Sequence, residues 1–151
     1  MSQYTIKVRG IPAPQGSKNV TRTGHLYESS SKKLLAWRQA IKLVVLNDNM
    51  ALGLTTPVKV SVVFLMPRPL IHYVGGKRTN PLKPDAPDWC ATTPDIDKLL
   101  RSTYDALTQA GVIADDRLIV SGSQSKLYTS KEPGAIIRLR ALGTVINRAV
   151  L

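Results

Sequence analysis

The sequence predicts an α/β (α+β) protein in which a mixed β-sheet carries two main helices, in the order β-α-β-loop-α-β-β. Three observations predict it. Tyr4, Ile6 and Val8 alternate with polar neighbours between Gln3 and Arg9, the pattern of a half-buried strand. Val58 to Met66, VKVSVVFLM, is short, β-branched and apolar throughout, the composition of a central strand. Two longer stretches, one after the serines at 29–31 and one after Pro94, repeat apolar residues every three or four positions, as helices with one buried face do.

The first strand ends at Gly10, because GIPAPQGSKN cannot continue it without breaks. Its Gln15-Gly16-Ser17-Lys18 offers amides, a hydroxyl and an ammonium, and reads either as a plain turn or as a phosphate contact; it lacks the spacing of a P-loop. Ser29, Ser30 or Ser31 caps the first helix, KKLLAWRQAIKLVVLND, whose stripe is Leu34, Trp37, Ile41, Val44 and Val45. Lys32, Lys33, Arg38 and Lys42 fall largely off that stripe, either as a solvated face or as DNA-backbone contacts. Between about 67 and 94 the chain turns proline-rich and basic, with Arg68, Lys77, Arg78 and Lys83, and has no periodicity. Such a stretch is an insertion loop that is functional or disordered, read here as a flexible basic arm. Tyr73 and Trp89 in it either stack on unpaired bases or cover a core edge.

Pro94 suits a first helical position, with Thr93 or Asp95 as cap. The helix then follows Ile96, Leu99, Leu100, Thr103, Leu107 and Ala110 and stops at Gly111. Arg117 to Tyr128 reads as a strand with a bulge at Gly122. Glu132-Pro133-Gly134 turns into the last strand, Ala135 to Leu142. No repeat or second domain is visible in the 151 residues, which suit a single core.

Charge is the second source of information. The chain carries a formal +11, yet seven of its ten acidic residues lie between Asp85 and Asp116, a window that nets −5 against +16 for the other 119 residues. A strongly basic balance points to a polyanion, with nucleic acid favoured because the 21 Lys and Arg are spread along the chain rather than along one amphipathic helix. One cysteine, Cys90, excludes a disulfide framework and a Cys-cluster zinc site. No apolar run is long enough to span a membrane and the first residues carry no signal-peptide core, so the expected location is intracellular, in the cytoplasm.

The acids have a spacing that suits a hard cation. Asp95, Asp97 and Asp116, with Asp115 beside them, supply oxygen ligands of the kind Mg²⁺ takes, with Mn²⁺ as a substitute. Residues two apart in a helix differ by about 200° in direction, so Asp95 must sit at an extended cap if it is to share an ion with Asp97. Asp116 must then come back to the helix start, either along the returning strand or from a second subunit. The alternative is structural: Asp95 caps the helix, Asp97, Arg101 and Asp105 form an ion-pair ladder, and Asp115-Asp116 is a turn. Only His25 and His72 are histidines, without zinc-ligand spacing, and no Gly-x-Ser-x-Gly elbow is present. Carboxylate-held Mg²⁺ acting on a phosphodiester is the chemistry left.

PDIDKLLRSTYDALTQAGVIADDRLIV resembles the core of the RusA family of Holliday junction resolvases: an Asp-x-Asp-Asn/Lys-Leu segment, a basic residue, Asp-Ala-Leu, and Asp-Asp before a strand. GIPAPQGSKN is similar to the Ser-Lys loop after the family's first strand. The resemblance implies a Mg²⁺-dependent homodimeric endonuclease that binds four-way DNA junctions and nicks two strands symmetrically, in recombination and repair. By motif position Asp95, Asp97 and Asp116 would be catalytic metal ligands, with Asp115 and Lys98 auxiliary. Arg101 stands where members often have lysine near the scissile phosphate, with charge kept but fork geometry changed. Lys18, Lys77 and Arg78 would contact DNA. Members are often encoded by phages or prophages. Two other functions fit the same composition: a non-catalytic nucleic-acid-binding module and a general Mg²⁺ nuclease acting on flaps or single strands.

Overall fold

A computed structural model describes residues 2–16, 18–28 and 31–150. Its main sheet has four strands in the order β1-β6-β4-β5, where β1 is Gln3–Arg9, β4 Val58–Pro67, β5 Ile119–Thr129 and β6 Gly134–Ala141. β4 pairs parallel with β5 and antiparallel with β6, which in turn pairs antiparallel with β1, so the sheet is mixed as expected. Helices α1, Ser31–Asn47, and α2, Ile96–Gln109, lie over one face. Ser29 and Ser30, read as candidate caps of α1, lie outside the described residues, as does the side chain of Ser31.

Strand alternation puts the core where the periodicity placed it. Ile6 and Val8, then Val58, Val60, Val62, Phe64 and Met66, then Ile137 and Leu139 all point to the helices and are buried. Leu34, Trp37, Ile41 and Val45 of α1, with Leu99, Ala106 and Leu107 of α2, face them. The indole Nε1 of Trp37 donates to Thr103 Oγ1 at 3.2 Å, which satisfies the one polar atom this large ring brings inside. Gly111 closes α2 with φ 79°, the left-handed stop its position predicted.

The other face of the sheet is basic. Lys7, Arg138 and Arg140 are exposed there, and Lys59 stands directly opposite Arg140 across the β4–β6 ladder. Like charges in facing positions are unfavourable unless an anion covers them.

Three features of the sheet and of α1 depart from the sequence reading. A short hairpin, β2 Lys18–Val20 and β3 Leu26–Glu28, occupies the stretch read as loop; three-residue strands carry no periodicity to detect. The register shift on β5 lies opposite Val58/Lys59, at Val120, two residues before Gly122. Gly122 is needed for another reason, since a Cβ there would run into the Val60 carbonyl oxygen. Arg38 is not on a solvated face: it bridges α1 to α2 through Asp105 Oδ2 at 3.2 Å and to Gln15 Oε1 at 2.9 Å. Asp105→Ala leaves this half-buried guanidinium without its anion, and urea unfolding is expected to show a loss of about 1–3 kcal/mol.

The arm between β4 and α2 is folded without DNA. Arg68 is buried, donating to Pro87 O at 2.7 Å and to Asp88 Oδ1 at 3.0 Å, while Val74 N donates to Pro81 O and Lys83 N to His72 O. A buried charge holds its surroundings in place because leaving it unpaired is costly. The reading of a flexible basic arm is therefore corrected. No helix among the described residues is long and apolar enough to cross a membrane.

Candidate active site

The N-terminus of α2 is positioned from three sides. Asp95 takes the N-cap with extended backbone, φ −66° and ψ 140°, and its carbonyl accepts the first helical bond from Leu99 N at 3.1 Å. Pro94 thus precedes the cap instead of opening the helix. From β5, the Lys126 ammonium donates to the carbonyls of Thr92 at 2.5 Å and Pro94 at 2.6 Å, fixing the chain that enters the cap. From the loop after β1, Gln15 N donates to Lys98 O at 3.1 Å, and Ser102 Oγ donates to Ala13 O at 2.6 Å. The Gly/Pro loop is a brace for the helix, with the Gln15 amide already used. Ser17 lies outside the described residues, as does the side chain of Lys18.

What the cap does with its carboxylate separates the two readings of Asp95. An N-cap aspartate ordinarily accepts from the amides of the first turn, worth about 0.5–2 kcal/mol over alanine. Asp95 makes no such bond. Asp95 lines a cleft of about 560 Å³ together with Asp97, Lys126, Thr92, Thr93 and Trp89. Lys98 stands 3.5 Å from Asp95 Oδ2, a half-exposed pair of little energetic weight. The alternative ladder does not form either: Asp105 is taken by Arg38, and among the described residues Arg101 and Asp97 have no ion-pair partner. Arg101, one turn beyond Asp97, is exposed.

Asp115 and Asp116 behave differently from each other. Asp115 caps a short 3₁₀ turn, Asp116–Leu118, by accepting from Arg117 N at 2.9 Å. Asp116 is exposed and opens that turn ahead of β5, so it lies in a 3₁₀ turn instead of at a strand start. Asp116 precedes the β5 end that pairs with Val58, whereas Lys126, which holds the Asp95 cap, pairs with Phe64 at the other end. The seven residue steps from Ile119 to Lys126 span about 23 Å of strand. Among the described residues no three His, Cys, Asp or Glu side chains come together, so one chain gathers Asp95 and Asp97 but not Asp116.

Trp89 is 66% exposed on the rim of the acidic cleft, available for stacking, whereas Tyr73 is buried and its ring lies under Arg78, 5.9 Å from the guanidinium carbon. Lys77 and Arg78 are exposed on the folded arm. Lys126 and Tyr128 escaped the sequence reading because their partners lie more than thirty residues away. Tyr128 shares a 2.8 Å hydrogen bond with the Thr92 hydroxyl. That bond lowers its pKa, but burial and the adjacent Cys90 thiol outweigh it and hold the phenol above its ordinary value.

Two carboxylates at the start of α2, a lysine beside them and a basic opposite face of the sheet define a class: an α+β protein with an acidic cleft in a basic molecule. The chain belongs to the RusA endodeoxyribonuclease family, whose profile, Endodeoxyribonuclease RusA, matches residues 10–140. It is therefore an enzyme that hydrolyses DNA phosphodiester bonds. It is similar to the crossover junction endodeoxyribonuclease RusA of Escherichia coli O139:H28 (strain E24377A / ETEC), 25% identical over 143 residues that cover 95% of this chain and 98% of that protein.

Proposed function

We propose that the protein resolves four-way DNA junctions by paired, symmetric, Mg²⁺-dependent nicks, with Asp95 and Asp97 of one copy and Asp116 of a second forming each site. The observation that carries this reading is that Asp95 makes no capping bond with its side chain and lines one cleft with Asp97. The donor set suits the ion: Mg²⁺ is commonly held by one or two carboxylates with substrate phosphate and water making up the rest. When bound, it would lower the pKa of an attacking water and offset charge on the phosphate. The chain's own cations add to that. Lys126 keeps the Asp95 cap in place and lends positive charge to the cleft, and exposed Arg101, one turn on from Asp97, would add positive charge for a phosphate lying along α2.

A second copy supplies what one chain lacks. β5 is an edge strand of the sheet; residues 88–90 pair with its outer side at Lys126 and Tyr128, and residues 120–124 before them are exposed. An antiparallel pairing of β5 with its copy about a two-fold axis sets the Asp116 end of one strand beside the Lys126 end of the other. Two equivalent sites then face a substrate with approximate two-fold symmetry. Asp115 supports Asp116 through the turn it caps, and Lys98 tempers the Asp95 charge. Lys18, Lys77, Arg78 and the cationic sheet face would contact phosphates along the arms, and affinity is expected to fall steeply with salt.

The test is a labelled four-way junction beside a matched duplex, in Mg²⁺ or EDTA. Paired nicks in the junction alone, lost in EDTA, are expected; equal cutting of the duplex contradicts the reading, and tight binding without nicks in Mg²⁺ or Mn²⁺ leaves a binding module.

A further inference from the structure

A second cleft, of about 740 Å³, adjoins the acidic one along the segment from Cys90 to Thr93. We propose that it receives a single unstacked nucleobase from the DNA strand whose phosphate lies at Asp95 and Asp97; the proposal rests on the junction-cutting reading above.

Position is the first reason. Cys90, Thr92 and Thr93 line both clefts, so the two are separated by the thickness of one chain segment. A strand that places a phosphate on one side presents its neighbouring nucleotide to the other. Surface chemistry is the second. The lining is mostly apolar, with Pro14, Pro67, Pro69, Pro94 and Tyr128 at its accessible surface and buried Trp37 beneath. Flat apolar faces suit the face of a base, which stacks whatever its sequence. The cleft also falls within the range of about 300–1,000 Å³ typical of small-ligand sites.

Rigidity is the third reason. Proline fixes its own φ, so these walls are set before DNA arrives and little ordering is lost on binding. The Tyr128 ring is locked as well. Arg68 lies 5.6 Å from its centroid, His72 meets it edge-on at 4.9 Å, and its hydroxyl is tied to Thr92 at 2.8 Å. Charge selects the occupant. Lys33 borders the apolar cleft and Lys126 the acidic one, so a phosphodiester backbone finds a cation at either end. Taking one base out of a duplex costs a few kcal/mol, and less where its pairing is already interrupted.

The experiment is an abasic scan of a four-way junction. After the nick is mapped with wild-type protein, a tetrahydrofuran abasic residue replaces each of the two nucleotides on either side in turn. At one position the wild type is expected to lose about tenfold or more in kcat/KM. Ala36→Phe, an exposed α1 position that lines the cleft, fills the space; it is expected to cut the intact junction more slowly and to show no further loss at that abasic position. Leu35→Phe, 58% exposed on the same helix but outside the cleft, is the control for helix tolerance and is expected to keep the wild-type abasic profile. Equal abasic losses in wild type and Ala36→Phe, or no loss at any position, overturn the base site while leaving junction cutting intact. Absence of nicks in the intact junction with wild-type protein overturns both readings.

Discussion

Asp95→Asn protein is expected to bind a four-way junction as the wild type does and to nick it more slowly by on the order of 10²–10³-fold or more, the range seen when one preorganised electrostatic group is lost from an active site. The substitution keeps the shape of the side chain and removes its charge. Because Asp95 makes no capping bond, α2 loses no partner, and the melting temperature is expected to stay near that of the wild type. The 3.5 Å contact with Lys98 does not alter this expectation, since a half-exposed pair contributes little. Gel-shift affinity, thermal melting and nicking rate measured on one preparation separate the roles. Wild-type nicking rates in the variant would remove Asp95 from the site; a large fall in melting temperature would return it to a helix-capping role.

Gly134→Ala is expected to cost on the order of 3 kcal/mol of stability, toward the upper end of single substitutions. Gly134 is the first residue of β6, is buried, and pairs with Arg9 across the ladder. A Cβ at this position would run into the Val8 carbonyl oxygen, with the Val8 carbonyl carbon at 3.1 Å and the Arg9 Cα at 3.3 Å also in the way. All three atoms belong to backbone, so no rotamer change relieves the contact; β1 and β6 must move apart and weaken the ladder. Urea unfolding measures the loss, and a midpoint within error of the wild type would contradict the close approach. Gly53→Ala makes a useful contrast, because its φ of 59° is unfavourable for alanine while nothing stands within 4 Å of the added carbon.

Glycine 134 also illustrates how far the sequence could be read. Its neighbours Glu132 and Pro133 gave a turn signal, and the turn is there, but the glycine's own reason is a strand on the far side of the chain that no local pattern reveals. Elements with one face on the core were legible because burial imposes a period: β1 spans Gln3–Arg9 as read, and the α1 stripe is buried at Leu34, Trp37, Ile41 and Val45. The hairpin at residues 18–28 was not legible, being too short to alternate. The fold of the arm depends on Arg68 reaching Pro87 and Asp88 about twenty residues on, a tertiary contact that composition reads only as loose positive charge. In the candidate site, the need for an extended Asp95 followed from helix geometry alone, and the structure has that conformation. The distance of Asp116 did not follow, because it depends on β5 being parallel to β4 and starting at the end of the sheet away from the α2 cap.

That distance makes subunit complementation the most direct test of the central claim. Asp95→Asn and Asp116→Asn chains, each expected to be severely impaired on its own, would be co-expressed with different tags and the mixed dimer purified. If each site joins Asp95 and Asp97 of one copy to Asp116 of the other, the mixed dimer holds one intact site, and it is expected to nick one strand of a four-way junction per binding event. A mixed dimer as inactive as its parents, when a wild-type dimer prepared in the same way cuts both strands, would contradict a site shared between two copies.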